Sequence, residues 1–218
     1  MEERPNRKLS KQEQARYEGY QQLCRSMEKQ GYQRVDLTVD VVRANVLAVV
    51  IMLPFLAVAA VLFFAKNPQG GIYFSTTEML LFLVAAVVLV VLHEVIHGVT
   101  WALLAPRGFG AIAFGVIWQM LTPYCTCKDG LKRWQYLLGG LMPVLILGFG
   151  LAGLSILTGS LGLFLLAELM ILGGGGDFLI ALKLLCYHPH KVDVVYYDHP
   201  LECGLVAFEL AGSETAAG

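Results

Sequence analysis

Three side chains within "LVVLHEVIHGVTWALL" (Leu89 to Leu104) could do chemistry together: His93, Glu94 and His97. Histidines four apart project from one face of a helix, about one turn from each other, so both imidazoles can reach a single metal ion. Glu94, beside the first of them, can stand over an open coordination position and take a proton from a water held there. H-E-x-x-H on a helix is a zinc-binding arrangement with the glutamate as general base. Zinc lowers the pKa of its water to about 7 and polarises a carbonyl, which is what amide hydrolysis needs.

The setting makes the motif sharper. The residues around it are apolar enough for a bilayer, where an ionisable side chain at the centre of a span costs roughly 2.5–3.5 kcal/mol on insertion scales. The whole chain fits that setting. Of its 218 residues, 56% are hydrophobic and 15% charged, against about 45–50% and about 25% in soluble domains. A net charge of −1 gives no case for nucleic acid. Met1 to Asp40 is polar and charged, without the early apolar core of a signal peptide.

Four apolar runs are long enough to cross about 30 Å of hydrocarbon: residues 44–65, 78–104, 134–157 and 161–186. The expected fold is therefore an all-α membrane protein of four transmembrane helices with a small cytosolic β element. It divides into an N-terminal cytosolic segment (1–42), the membrane domain (43–187) and a cytosolic tail (188–218). Lys and Arg number nine before the first span, one in the first loop, four in the second and none in the third. By the positive-inside rule both termini and the second loop are cytosolic, in the cytoplasmic membrane. Cys24, Cys125, Cys127, Cys186 and Cys203 then all fall on the reducing side, which argues against a disulfide framework.

Zinc needs at least one further protein ligand. The carboxylates within the spans are Glu78, Glu168 and Asp177. The second and fourth spans run in the same direction, so equal offsets from their starts mean similar depths. His93 lies fifteen residues after Glu78 and Asp177 sixteen after Leu161, which puts both about 22–24 Å in at 1.5 Å per residue, toward the cytosolic side. Glu168 lies some 13 Å higher and half a turn round. Asp177 is the expected third ligand and Glu168 a group facing the bundle interior. In "GGGGDF" the run Gly173 to Gly176 removes side chains that would keep the aspartate helix from the histidine helix, or permits a local break.

Outside the spans, Ser10 with Glu13 makes a capping-box pattern for a helix with Tyr17, Tyr20, Cys24 and Met27 on one face, ending near Gly31. It is expected on the membrane surface or on the protein's own cytosolic face. Val35, Leu37, Val39 and Val41 alternate with polar residues as in a strand; so do Ile112, Phe114, Val116, Trp118 and Met120 in the second loop. "VDVVYY", a turn at Asp198-His199-Pro200 and "LVAFEL" offer two more strands. The loop strand, 110–121, could hold an extended substrate by strand addition, with Gln119, Thr122 and Tyr124 near the oxyanion. Cys125 and Cys127 with Cys186, His188 and His190 could form a second metal site, although C-x-C is a poor zinc spacing.

"HEVIHG" in a span, "PYCTCKD" in the next loop and "GGGGDFLIALKLL" in the last span together resemble the bacterial zincin peptidase family of membrane proteins, related to the site-2 intramembrane zinc metalloproteases. The resemblance covers about Val91 to Leu185. It implies a membrane-embedded zinc metalloendopeptidase with one Zn²⁺ per chain held by His93, His97 and Asp177, Glu94 as catalytic base, and a membrane protein or peptide as substrate. Site-2 proteases usually carry Asn-Pro shortly before an Asp-Gly pair; here glycines precede Asp177 and Phe178 follows it. Two other classes compete. A non-proteolytic metal-binding protein would have no need of Glu94, and a His/Asp ion relay would need polar residues along the first and third spans, which offer almost none.

Overall fold

The computed structural model describes residues 9–68, 75–117 and 122–210. Helix α1 (Lys11–Lys29) starts on the expected capping box: Ser10 Oγ accepts from the Glu13 N–H, and the Glu13 carboxylate accepts from the Ser10 N–H. Strand β1 (Tyr32–Val39) follows, and Asp40 then accepts from the N–H groups of Val42 and Arg43 to open α2 (Val41–Lys66). Val41 therefore belongs to the helix, not to the strand as its alternation suggested. Helix α3 (Thr76–Leu104) runs unbroken from its own capping box, Ser75 with Glu78.

Strands β2 (Ile112–Ile117) and β3 (Thr122–Cys127) form an antiparallel hairpin with Phe114 opposite Cys125. Ile112 and Phe114 of β2 lie over Gly98 of α3. The expected strand residues Trp118 and Met120, and Gln119 between them, lie outside the described residues, as does the tail 211–218.

The third apolar run is not a single regular helix. Helix α4 (Arg133–Pro143) passes into a π-helical stretch, Val144–Gly150, and then into α5 (Leu151–Thr158). Pro143 withdraws an N–H from the ladder, and the wider turn re-pairs the backbone around it. The fourth run is two helices, α6 (Leu161–Gly173) and α7 (Gly175–Cys186), bent by 42° at Gly174. Three helices are thus long and apolar enough to cross a membrane, and four if the bent pair is one span. Val46, Val50 and Val61 of α2 and Leu80, Val84 and Val87 of α3 expose apolar side chains outward, as in a membrane protein, where lipid covers them.

Strands β4 (Val194–Asp198) and β5 (Cys203–Leu210) complete a second sheet, antiparallel throughout in the order β1-β5-β4. His199 is the expected turn residue; its Nδ1 accepts from the N–H groups of Leu201 and Glu202. Alternation along β5 gives this sheet two buried faces. Leu205 and Ala207, with Leu37 and Tyr196, pack against Trp101, Leu131, Tyr136 and Leu184 at the ends of the helices. Val206 and Phe208 pack against Tyr17, Tyr20 and Met27 of α1, so α1 covers the protein's own β element. Phe208→Ala is expected to remove about 3–5 kcal/mol of packing from that seam. Limited trypsin digestion should then cut after Arg25 or Lys29 much faster than in the wild type.

Candidate metal centre

Because α3 is continuous, His93 and His97 project one turn apart from the same side, and α7 brings Asp177 to them in its first turn. His93 Nε2 lies 3.1 Å from His97 Nε2 and 3.1 Å from Asp177 Oδ2, and His97 Nε2 lies 3.4 Å from the same oxygen. Tetrahedral zinc with bonds of about 2.0–2.1 Å sets its ligand atoms roughly 3.3–3.4 Å apart. The triangle fits that ion. Among the described residues, this is the one group of three or more such side chains placed to hold a metal.

The ring orientation of His97 is set from behind. Its Nδ1 stands 2.8 Å from the carbonyl oxygen of Gly139 in α4. A carbonyl only accepts, so Nδ1 carries the proton and Nε2 is left with its lone pair toward the triangle. Trp101, one turn further along α3, stacks on the His97 ring with centroids 5.1 Å apart and planes 17° apart. The close approach of α4 depends on Gly139: a Cβ there would fall 2.0 Å from Trp101 Nε1. Trp101, Tyr136 and Asp177 border a cavity of about 20 Å³, room for one water.

Glu94 is half-buried and is not one of the triangle's corners. Its carboxylate faces the backbone N–H of Cys125 in β3. The inward-facing donors of β3 pair with β2, as the neighbouring Lys128 N–H does with the Ala111 carbonyl, so positions 125 and 127 point outward. Cys127 uses its outward N–H on Asp198 Oδ2, at 2.9 Å.

The other carboxylates have different duties. Glu78 accepts from the Ser75 N–H and hydroxyl at the start of α3, far from the histidines. Glu168 stays on α6 with one carboxylate oxygen buried and without a hydrogen-bond partner. Of the two roles expected of the glycine run, the local break is the one seen, at Gly174. A Cβ on Gly174 would meet Val144 at 2.7 Å, and one on Gly175 would meet Ala48 at 3.0 Å, while Gly173 and Gly176 have open space. The glycines therefore seat the α6–α7 bend against the π-helical stretch and α2, and α2 and α4 in turn fix where Asp177 points. Phe178 turns toward Phe55, ring centroids 5.3 Å apart.

The second metal site does not assemble. Cys125, Cys127, Cys186, His188 and His190 form no ligand group among the described residues, and all five cysteines are free. Burial pushes the Cys127 thiol up to about 11 and raises that of Cys125 further, whereas Cys186 is exposed. Iodoacetamide at pH 7.5, read by peptide mass, is expected to label Cys186 well before either of the other two. Tyr124 lies under the Arg16 guanidinium, 4.6 Å from the ring centroid; Gln119 is outside the described residues.

Sequence reasoning missed Gly139, Trp101 and the Cys125 N–H. Two of these contacts are made by backbone atoms, which leave no trace in residue type. The one available signal was the Gly139-Gly140 pair inside an apolar run. No curated protein and no solved structure matches the chain. Residues 86–192, from within α3 to beyond α7, match the family described as "Putative zincin peptidase", which supports a zincin-like peptidase built on the segment that carries His93, Glu94, His97 and Asp177.

Proposed function

We propose that this protein is a membrane-embedded zinc metalloendopeptidase related to the site-2 proteases, cutting peptide bonds of membrane proteins or peptides near the cytosolic side of a cytoplasmic membrane. One observation carries the reading: two imidazole nitrogens and a carboxylate oxygen form a triangle with edges of 3.1, 3.1 and 3.4 Å, with the H-E-x-x-H glutamate beside it. His93, His97 and Asp177 would hold the zinc. When bound, the ion polarises the scissile carbonyl and makes a coordinated water acidic.

Glu94 takes the proton of the attacking water as its oxygen adds to the carbonyl carbon. The same carboxyl then gives that proton to the leaving amide nitrogen as the C–N bond breaks, and the acid's remaining proton passes to the amine, which yields a carboxylate and an ammonium group. The Gly139 carbonyl keeps His97 in the tautomer that ligates. The positive-inside count supports cytosolic termini and water entry from that side. The hairpin of β2 and β3, lying along α3 beside Glu94, is a surface on which an extended substrate can add as a strand.

The test is cleavage in vesicles. Purified protein reconstituted with a peptide tethered to the bilayer by one apolar span is expected to cut it, to stop with 1,10-phenanthroline, and to resume when zinc is returned. Cleavage indifferent to the chelator, or a wild type that takes up no zinc, would sink the reading.

A further inference from the structure

We propose that Asp198, on the sheet beyond the family-matched segment, is a positioning residue that holds both elements which orient the metal-site side chains. The inference rests on the zinc peptidase reading above. Its two carboxylate oxygens go to different elements. Tyr136 Oη of α4 donates to Oδ1 at 2.5 Å, and the Cys127 N–H of β3 donates to Oδ2 at 2.9 Å. Each of these partners lies one step from a contact with the motif. Tyr136 is three residues from Gly139, on the same face of α4, and the Gly139 carbonyl accepts from His97. Cys127 is two residues from Cys125, on the same edge of β3, and the Cys125 N–H faces the Glu94 carboxylate.

One carboxylate therefore sets the spacing between the strand that touches the base and the helix that touches a ligand. Trp101 fills the space between them, stacked on His97 and with its ring centroid 5.7 Å from that of Tyr136. The family match ends at residue 192, whereas Asp198 closes β4. The elements around the site are thus held by a strand outside the matched segment. Asparagine at 198 can keep both contacts, with its carbonyl accepting from Cys127 and its amide donating to the Tyr136 oxygen. Alanine keeps neither.

The experiment measures zinc affinity by chelator competition, and the visible absorption of the cobalt-substituted protein, for wild type, Asp198→Asn, Asp198→Ala and Tyr136→Phe in detergent. Glu209→Ala is the control. It removes another buried carboxylate of the same sheet, bonded to the Tyr187 hydroxyl and the His190 N–H and remote from the motif contacts. Asp198→Ala is expected to weaken zinc binding by about 10–100-fold and to shift the cobalt bands. Tyr136→Phe should move both readouts in the same direction by less, Asp198→Asn should stay close to wild type, and Glu209→Ala should lower the thermal midpoint alone. Wild-type affinity and spectrum in Asp198→Ala would overturn the assignment. So would an Asp198→Asn as weak as alanine, or an equal loss in Glu209→Ala. If Asp198→Ala does not fold, an unchanged Tyr136→Phe overturns it. A wild type that takes up no zinc or cobalt overturns instead the reading on which this one rests.

Discussion

Glu94→Gln is expected to keep about one zinc per chain and to lose cleavage by a factor of about 10²–10⁴, while His97→Ala and Asp177→Ala lose most of the metal. The separation follows from the geometry. Glu94 is not a corner of the ligand triangle, and glutamine is of the same size and retains a carbonyl oxygen to face the Cys125 N–H. His97 and Asp177 each supply a corner, and two remaining ligands hold zinc poorly. Elemental analysis of the purified variants, paired with the vesicle assay, decides it. Full zinc in Asp177→Ala would move the third ligand elsewhere. Wild-type cleavage by Glu94→Gln would remove the glutamate from the chemistry. With the expected pattern, Glu94→Gln becomes a trap for finding substrates.

Gly139→Ala should be strongly damaging although it lies outside the motif and the ligand set. Its Cβ would stand 2.0 Å from Nε1 and 2.1 Å from Cδ1 of Trp101, a side chain that is 5% exposed and pressed on the His97 ring. Either Trp101 or α4 must yield, and in both cases the Gly139 carbonyl leaves its place behind His97. Overpacking of this kind costs about 1–3 kcal/mol, and loss of the hydrogen bond behind a ligating histidine lowers metal affinity by about 10–100-fold. Gly140→Ala is the matched comparison, because a Cβ there has open space, and it should bind zinc as the wild type does. If the two variants behave alike in chelator competition, the Gly139 contact does not govern the site.

Much of this arrangement was legible because polar groups are rare in apolar runs. His93, Glu94 and His97 stand out against valines and leucines, and counting rises along two parallel spans was enough to choose Asp177 over Glu168. That arithmetic survived the 42° bend because the break falls at Gly174, and the short start of α7 still delivers residue 177 at the depth of the histidines. The capping boxes at Ser10 and Ser75 follow from side chains acting within one turn, which sequence displays directly. Strand β3 was not foreseen, since "TPYCTC" has a proline and no apolar alternation; its pairing partner and the outward contacts of Cys125 and Cys127 decide it. The π-helical stretch depends on how the chain re-pairs after Pro143, which composition does not record. The glycines were recognised as a means of close approach or of a local break; the break is there, but the close neighbours are Val144 and Ala48, because which helix lies beside Gly174 and Gly175 is a property of the packing and not of the run itself.

The placing of β5 between β1 and β4 has a consequence for biosynthesis. β1 and β4 are not neighbours, so residues 32–39 must wait, unpaired, until residues 203–210 have left the ribosome. By then all four apolar runs have been made. Closing so long a loop is slow compared with forming helices, and α1 has no sheet to lie on before it happens. A nascent chain would therefore complete its four apolar runs before the sheet that packs on their ends has closed.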